Sequence, residues 1–277
     1  MTNNHFGKCA LCGKECELTF EHIPPKKAFN NARAKIVTGD KLLYNEDRMP
    51  WDTNGLPYTN QQQGSGKYSL CSECNNNTGS WYAEDYIAMA HAVAYALRQV
   101  KKDKYTITIP ELHPLRIIKQ ILSMFCSVNQ FDDERIKILR QFVLDKEAKY
   151  LDKTKYKVCI YSTRSTITKS APLTALLRIV NNGLETDIVS EITAAPIGLI
   201  LYFDPVTIPE YKFFGTDITE LADYNYDDIA KIVLPLFIYE VNDLFPLHYR
   251  TKEEIKECIE KNKKYVPDFK KKEDGSE

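Results

Sequence analysis

Apolar residues show no sustained period across residues 1–80, where Asn, Gly, Pro and Gln break every run, so this stretch is predicted as loop, short hairpin and turn. The segment Asn60-Gln61-Gln62-Gln63-Gly64-Ser65-Gly66 reads as a mobile connection. Past residue 80 the pattern becomes helical: Tyr82, Tyr86, Met89, Val93, Leu97 and Val100 recur on one face. Thr78 or Ser80 can cap the start of that helix, and Lys101 and Lys102 sit at its far end. His91 falls off the stripe and is expected to be exposed or partly packed. Two more amphipathic helices are predicted, one over 114–127 carrying Ile117, Ile118, Ile121, Leu122 and Phe125, the other after Asp132 carrying Ile136, Leu139, Phe142 and Val143. Short β-branched and aromatic segments follow at 156–162, 187–193, 196–203 and 211–214, separated by Pro, Gly and an Asn181-Asn182-Gly183 turn. Residues 233–241 form another apolar segment, and 251–264 read as a charged helix that frays into a Lys-rich, then acidic tail.

This order of elements predicts an α+β chain in three parts: an N-terminal domain over 1–105, a helical linker segment over 106–150 and a strand-rich domain over 151–277. A length of 277 residues with 43% hydrophobic content is enough for a sizeable second core beyond a small metal-ordered module. No apolar run reaches the roughly twenty residues that span a bilayer, and the polar Met1-Thr2-Asn3-Asn4-His5 start lacks the character of a signal peptide, so no membrane partner and a cytoplasmic location are expected. The net charge of -1 gives no global attraction to nucleic acid, so any such contact must come from a local patch, for which Lys26, Lys27, Arg33 and Lys35 are candidates beside the reading of an ordinary solvated surface. There is no internal repeat and no nucleotide-binding glycine loop.

Two Cys-x-x-Cys pairs, Cys9 with Cys12 and Cys71 with Cys74, change the picture of the polar N-terminal stretch. Each such turn supplies two thiolates, and two turns complete the tetrahedron that a structural Zn²⁺ prefers. Closing the long loop between them would fix distant parts of the chain that this polar segment could not easily hold through a hydrophobic core. Cys16 is close enough to be a substitute ligand, whereas Cys126, Cys159 and Cys258 have no paired spacing, and the first two lie in apolar stretches that suggest core positions.

Between the pairs lies Glu21-His22-Ile23-Pro24-Pro25, and Asn75 directly follows the last cysteine. Phosphodiester hydrolysis needs a base to deprotonate water and a cation to neutralise the phosphate and the departing oxygen. An imidazole oriented by a backbone carbonyl suits the first task, which makes His22 the candidate base. The carboxylate of Glu21 and the amide oxygen of Asn75 are hard donors suited to Mg²⁺ or Mn²⁺. Strand neighbours point to opposite sides, so a bend fixed by the proline pair is expected to bring Glu21 and His22 to one phosphate.

The two knuckles, the Glu-His-Ile-Pro-Pro run and the sequence Leu70-Cys71-x-x-Cys74-Asn75 followed by Thr78-Gly79 resemble the HNH (ββα-metal or His-Me finger) endonucleases, in particular the zinc-bearing kind that includes phage endonuclease VII. The resemblance covers about residues 5–85. It implies an N-terminal zinc-stapled, treble-clef-like ββα-metal nuclease domain with structural zinc on Cys9, Cys12, Cys71 and Cys74. It also implies His22 as general base, Glu21 and Asn75 as ligands of a catalytic divalent metal, and cleavage of DNA, expected to be double-stranded, leaving a 5′-phosphate and a 3′-hydroxyl. The pattern's middle asparagine has no clean counterpart before the second knuckle, where Asn60 or Gln63 could stand in, and Glu84 or Asp85 are further candidate metal ligands. The long interval from His22 to Cys71 indicates an inserted loop. Phage defence or restriction is the expected setting, with a partner protein or a second copy of the chain as candidate associates. The alternative is a zinc-finger module that binds nucleic acid or protein without catalysis.

Overall fold

The computed structural model describes residues 5–43, 48–180 and 183–262. The polar first four residues, the expected Asn181-Asn182 turn and the charged tail from 263 onward lie outside the described residues. The stretch 1–80, expected as loop, short hairpin and turn, holds more strand than that, beginning at Phe6. Strands β1 (Phe6–Lys8) and β2 (Glu15–His22) form a hairpin around the first knuckle, β3 (Ala34–Ile36) leads to the short helix α1 (Gly39–Leu43), and β4 (Thr59–Gln61) returns to pair with β3. Strand β5 (Gly66–Cys71) then closes a three-stranded antiparallel sheet of order β1-β2-β5. It runs straight into helix α2 (Ser72–Leu97), which starts eight residues earlier than the apolar stripe suggested. The Cys71 sulfur accepts the Cys74 amide and caps the new helix, which lets the polar Asn75-Asn76-Asn77 run continue as helix despite its composition.

Beyond α2 the chain forms β6 (Lys104–Leu112), the helices α3 (Pro114–Val128) and α4 (Glu134–Leu144), and β7 (Tyr156–Ser162). Strands β8 (Lys169–Val180), β9 (Gly183–Ala194) and β10 (Ile197–Phe203), the two-residue β11 (Thr216–Asp217), β12 (Ala230–Phe237) and helix α5 (Lys252–Asn262) complete it. Strands β7 to β11 make an antiparallel sheet of order β11-β7-β10-β9-β8, and β12 pairs with β6. The expected strand at 211–214 is instead a 3-10 turn, whose Phe213 and Phe214 pack on a small aromatic core with Tyr202, Tyr239 and Tyr249. Side-chain composition suggested a strand there, but the turn spends those aromatics on packing rather than on a ladder.

Helix α3 is the keystone of the arrangement. Every residue from Pro114 to Val128 except Arg116 is buried, including Lys119, Gln120, Ser123 and Ser127, so the helix is enclosed on all sides rather than amphipathic. Lys119 satisfies its ammonium on the Phe142 carbonyl at 2.9 Å and on that of Asp145, and burial pushes its pKa down to about 8. At the end of α3, Asn129 ties the helix to the large sheet through Ser190 Oγ (3.1 Å) and the Leu173 amide (2.6 Å). One cluster of buried apolar residues runs from Cys9 to Leu236, across the boundaries read at residues 105 and 150. Among the described residues no helix is long and apolar enough to cross a membrane.

Candidate functional site

The first knuckle is a tight turn in which the Cys9 amide donates to the Lys14 carbonyl (2.9 Å) and the Gly13 amide returns to the Cys9 carbonyl (3.0 Å), with Gly13 at φ +73°. That left-handed geometry suits glycine. The second knuckle is the junction of β5 and α2. Antiparallel pairing of β2 with β5, Leu18 opposite Cys71, brings the two together. The sulfurs of Cys9, Cys12, Cys71 and Cys74 all lie within 4.8 Å of one another, and those of Cys12 and Cys71 are 3.9 Å apart. Tetrahedral zinc with bonds of 2.3 Å needs sulfurs about 3.8 Å apart, so the group could hold one zinc ion with little rearrangement.

The electrostatics of the cluster favour a cation. A hydrogen bond from Cys74, reinforced by the amides of Cys71, Leu11 and Cys12, draws the Cys9 thiol down to about 4, while the same bond pushes the Cys74 thiol well up and burial raises that of Cys12. Once one thiolate forms, its neighbours resist ionising; a divalent cation removes that conflict. No cysteine is in a disulfide. Cys16, the candidate substitute ligand, points its sulfur at the Lys14 carbonyl 3.4 Å away and lies outside the four-sulfur group, and Cys126 and Cys159 are buried in the core as expected.

Glu21 and His22 occupy the last two positions of β2, and strand alternation is retained there. Phe20 and His22 share one face, with ring centroids 5.1 Å apart. Thr19 and Glu21 share the other, which looks toward α2 and α3. The expected bend that would turn both side chains to one side is therefore absent between residues 21 and 22; the chain turns only afterwards, at a cis Ile23–Pro24 peptide. His22 Nε2 lies 3.0 Å from the Gln63 carbonyl oxygen, and since a carbonyl only accepts, Nε2 is the donor of this bond, which makes Nδ1 the acceptor nitrogen of the neutral ring.

Glu21 is buried, and its Oε2 accepts from Ser69 Oγ (3.0 Å) and from Ser127 Oγ of α3, which leaves Oε1 to take another ligand. Burial pushes its pKa up to about 7 against the two hydroxyls that favour the charged form. Asn75, in the first turn of α2, donates its amide hydrogens to Thr19 Oγ1 (2.9 Å) and the Phe20 carbonyl (3.3 Å), so its Oδ1 is likewise left for a further ligand. The structure thus places Glu21 and Asn75 on the helix-facing side of β2 and His22 on the opposite side at the strand's end.

The raised Glu21 pKa sets a pH dependence. Because the folded chain holds this proton to about pH 7 and the unfolded chain only to about 4.5, stability contributed by the neutral acid is complete below pH 4.5 and lost as pH rises to 7. Glu21→Gln should therefore be more stable than wild type above pH 7, by about 3 kcal/mol at 1.36 kcal/mol per pKa unit, and equal to it near pH 4. Urea unfolding at pH 4.5, 6 and 8 checks this, and parallel curves for the two proteins would refute it.

The segment over 60–66, expected as a mobile connection, is pinned by hydrogen bonds. Gln61 bonds both the amide and the carbonyl of Gly66, at 3.0 and 2.9 Å. Gly64, at φ +100°, packs so closely on Asn30 that a Cβ would lie 2.0 Å from the Asn30 carbonyl oxygen. Asn30 cross-links both ends of the insertion: its amide donates to the carbonyls of Pro24 (2.6 Å) and Ser65 (2.7 Å), and its oxygen accepts the Ser65 amide (2.7 Å). Sequence reasoning missed it, because nothing local marks an asparagine that joins Pro24, six residues before it, to Ser65, 35 residues after it. Of the proposed stand-ins, Gln63 offers its backbone carbonyl to His22 and its side-chain oxygen to Lys26 (2.8 Å), while Asn60 only pairs opposite Lys35 in the β3–β4 ladder. Glu84 is exposed, and Asp85 accepts from the amide and ring of His113 at the start of α3, both at 2.9 Å. Neither is seen at the Glu21–Asn75 face. His91 is exposed as expected and bonds the Lys27 carbonyl at 2.9 Å.

No family model matches the chain, and neither a curated protein nor a solved structure matches it.

Proposed function

We propose that this chain is a metal-dependent endonuclease of the HNH type that hydrolyses DNA phosphodiesters, with β2, β5 and α2 as its ββα-metal unit and the four cysteines as a zinc staple. The observation that supports this most is the set of three side chains carried by the end of β2 and the start of α2: an imidazole held by a carbonyl at the strand's end and, on the helix-facing side of the strand, a buried carboxylate and an amide that each have one oxygen to spare. A binding knuckle has no need of that set.

The donors fit a hard divalent ion. Mg²⁺ keeps several waters and commonly takes one or two protein carboxylates together with substrate phosphate oxygens, which matches Glu21 Oε1 and Asn75 Oδ1 as its protein ligands. A bound Mg²⁺ or Mn²⁺ supplies charge neutralisation on the phosphate and on the leaving oxygen. It would also offset the cost of ionising Glu21, whose burial otherwise holds the proton to about pH 7. His22 Nδ1 takes a proton from water, the hydroxide oxygen bonds phosphorus, and the P–O3′ bond breaks, with the departing O3′ taking a proton from solvent water to give a 5′-phosphate and a 3′-hydroxyl.

The test is nicking of supercoiled plasmid with and without Mg²⁺ or Mn²⁺. Nicking that requires the added ion supports the reading. Zinc-loaded protein that cleaves neither DNA nor RNA with either ion would replace it with the zinc-stapled binding module.

A further inference from the structure

A cavity of about 1020 Å³ lies between the inserted loop and the edge of the large sheet, at the upper end of the range that small-ligand pockets occupy. Arg33 and Lys35 of the insertion line one wall, and Arg164 and the buried Lys169 line the other. Among the described lining residues the one carboxylate is that of Asp243, and it is spent on its own loop, accepting from the Phe245 amide at 2.9 Å and from His248 Nδ1. Lys169 is tied to Glu191 at 3.1 Å and to the Phe245 carbonyl at 2.8 Å, and Arg164 keeps its charge while donating to the Leu97 and Val100 carbonyls at 3.1 and 2.6 Å, so the unneutralised charge comes chiefly from exposed Arg33 and Lys35, with Arg164 facing them. The cavity is therefore positive in a chain whose net charge is -1.

Aromatic surface accompanies that charge. Phe29 lines the cavity in a left-handed conformation, φ 66°, that a bulky residue adopts at a cost, and it stays 39% exposed. Trp51 lines it as well, and Lys35 lies 4.7 Å over the half-exposed ring of Tyr58. Phe29 also meets the His91 ring at 4.6 Å, Lys252 lies 5.3 Å over Trp51, and Tyr58 stands beside the cavity rather than in its lining. Basic side chains interleaved with aromatic rings are the means by which proteins hold an unpaired nucleic-acid strand, phosphates on the cations and bases on the rings. The cavity also adjoins the His22 turn: Asn30 and Ser65 line it, and Ser65 bonds Ile23 through both its carbonyl and its hydroxyl at 3.1 Å.

We infer that this cavity is the track for a single nucleic-acid strand flanking the phosphate presented to His22, so that the large sheet and the insertion together form part of the substrate site. The inference rests on the nuclease reading above, and its test measures binding rather than cleavage so that the two fail separately. A labelled single-stranded 12-mer is titrated by fluorescence anisotropy against the full-length His22→Ala chain, alone and combined with Arg33→Gln/Lys35→Gln. Both added substitutions are at exposed side chains. The expected result is at least a tenfold weaker dissociation constant in the combined variant, and a plot of log K against log salt that is shallower by about 1.4, at 0.7 per lost phosphate contact. Arg164→Gln on the opposite wall should weaken binding in the same direction. Affinity and salt slope unchanged by all three substitutions would overturn the inference, as would displacement of the strand by a nucleoside 5′-monophosphate at concentrations near the strand's own dissociation constant. Plasmid cleavage together with that negative result would leave the nuclease reading standing; strand binding lost as expected in a chain that never cleaves would remove only the nuclease reading.

Discussion

Replacing His22 with Ala should lower plasmid cleavage by about 10²- to 10⁴-fold, the contribution of a positioned general base, while zinc content and melting temperature stay close to wild type. Selectivity of effect is what gives this result its force. His22 is only partly buried and makes one hydrogen bond, to the Gln63 carbonyl, plus an edge contact with Phe20, so truncating it costs about 1 kcal/mol of stability at most. Neither knuckle touches the ring. In the proposed reaction Nδ1 accepts the proton from water, and Ala removes that atom without disturbing the oxygens of Glu21 and Asn75. Glu21→Gln is the companion: cleavage should fall even though stability at pH 8 rises, a combination that a merely structural carboxylate would not give. Cleavage by His22→Ala within tenfold of wild type would eliminate His22 as the base.

The parts of this arrangement that local rules govern were readable from sequence, and the parts governed by distant partners were not. The two Cys-x-x-Cys turns announce the four-sulfur group because coordination chemistry acts over three residues at a time, and the four sulfurs do converge. The apolar stripe from Tyr82 to Leu97 announces the body of α2. The stripe itself does not show the start at Ser72, since three asparagines and Gly79 argue against helix and the cap at Cys71 and the packing against β2 overrule them; the spacing of the second knuckle does, because it puts Asn75 at the start of the helix that leaves it. Strand β6 alternates buried Ile107 and Ile109 with exposed neighbours, yet Pro110 obscures the pattern and its partner β12 lies more than a hundred residues away. Glu21 and His22 illustrate the same limit at the site. Their chemistry is legible as residue types, but the side each one faces depends on whether the strand bends at 21 or after 22, and that is decided by Ser69 and Ser127, which hold the carboxylate from β5 and α3.

Loss of zinc should be the most damaging change of all to the N-terminal unit. Apparent binding free energies of structural zinc are on the order of 10–16 kcal/mol at neutral pH, as large as the whole stability of an ordinary domain at about 5–15 kcal/mol. Here the ion would join the β1–β2 turn to the start of α2, and those elements carry both His22 and Asn75. Cys9 and Cys74 are themselves buried members of the main core beside Leu11 and Leu70, so an unmet set of thiols disturbs packing as well as coordination. Cys74→Ser is therefore expected to reduce zinc from about one ion per chain to well below it, lower the melting temperature by ten degrees or more, taking roughly 2–4 °C per kcal/mol for a chain of this size, and abolish cleavage. Cys16→Ser is the control, since its sulfur lies outside the group, and it should keep both the zinc and the melting temperature. If elemental analysis found Cys74→Ser as zinc-rich and as heat-stable as wild type, the staple would have to be abandoned. The position of Asn75 over Thr19 would then rest on the Cys71 cap and the hydrogen bonds of the β2–β5 ladder alone.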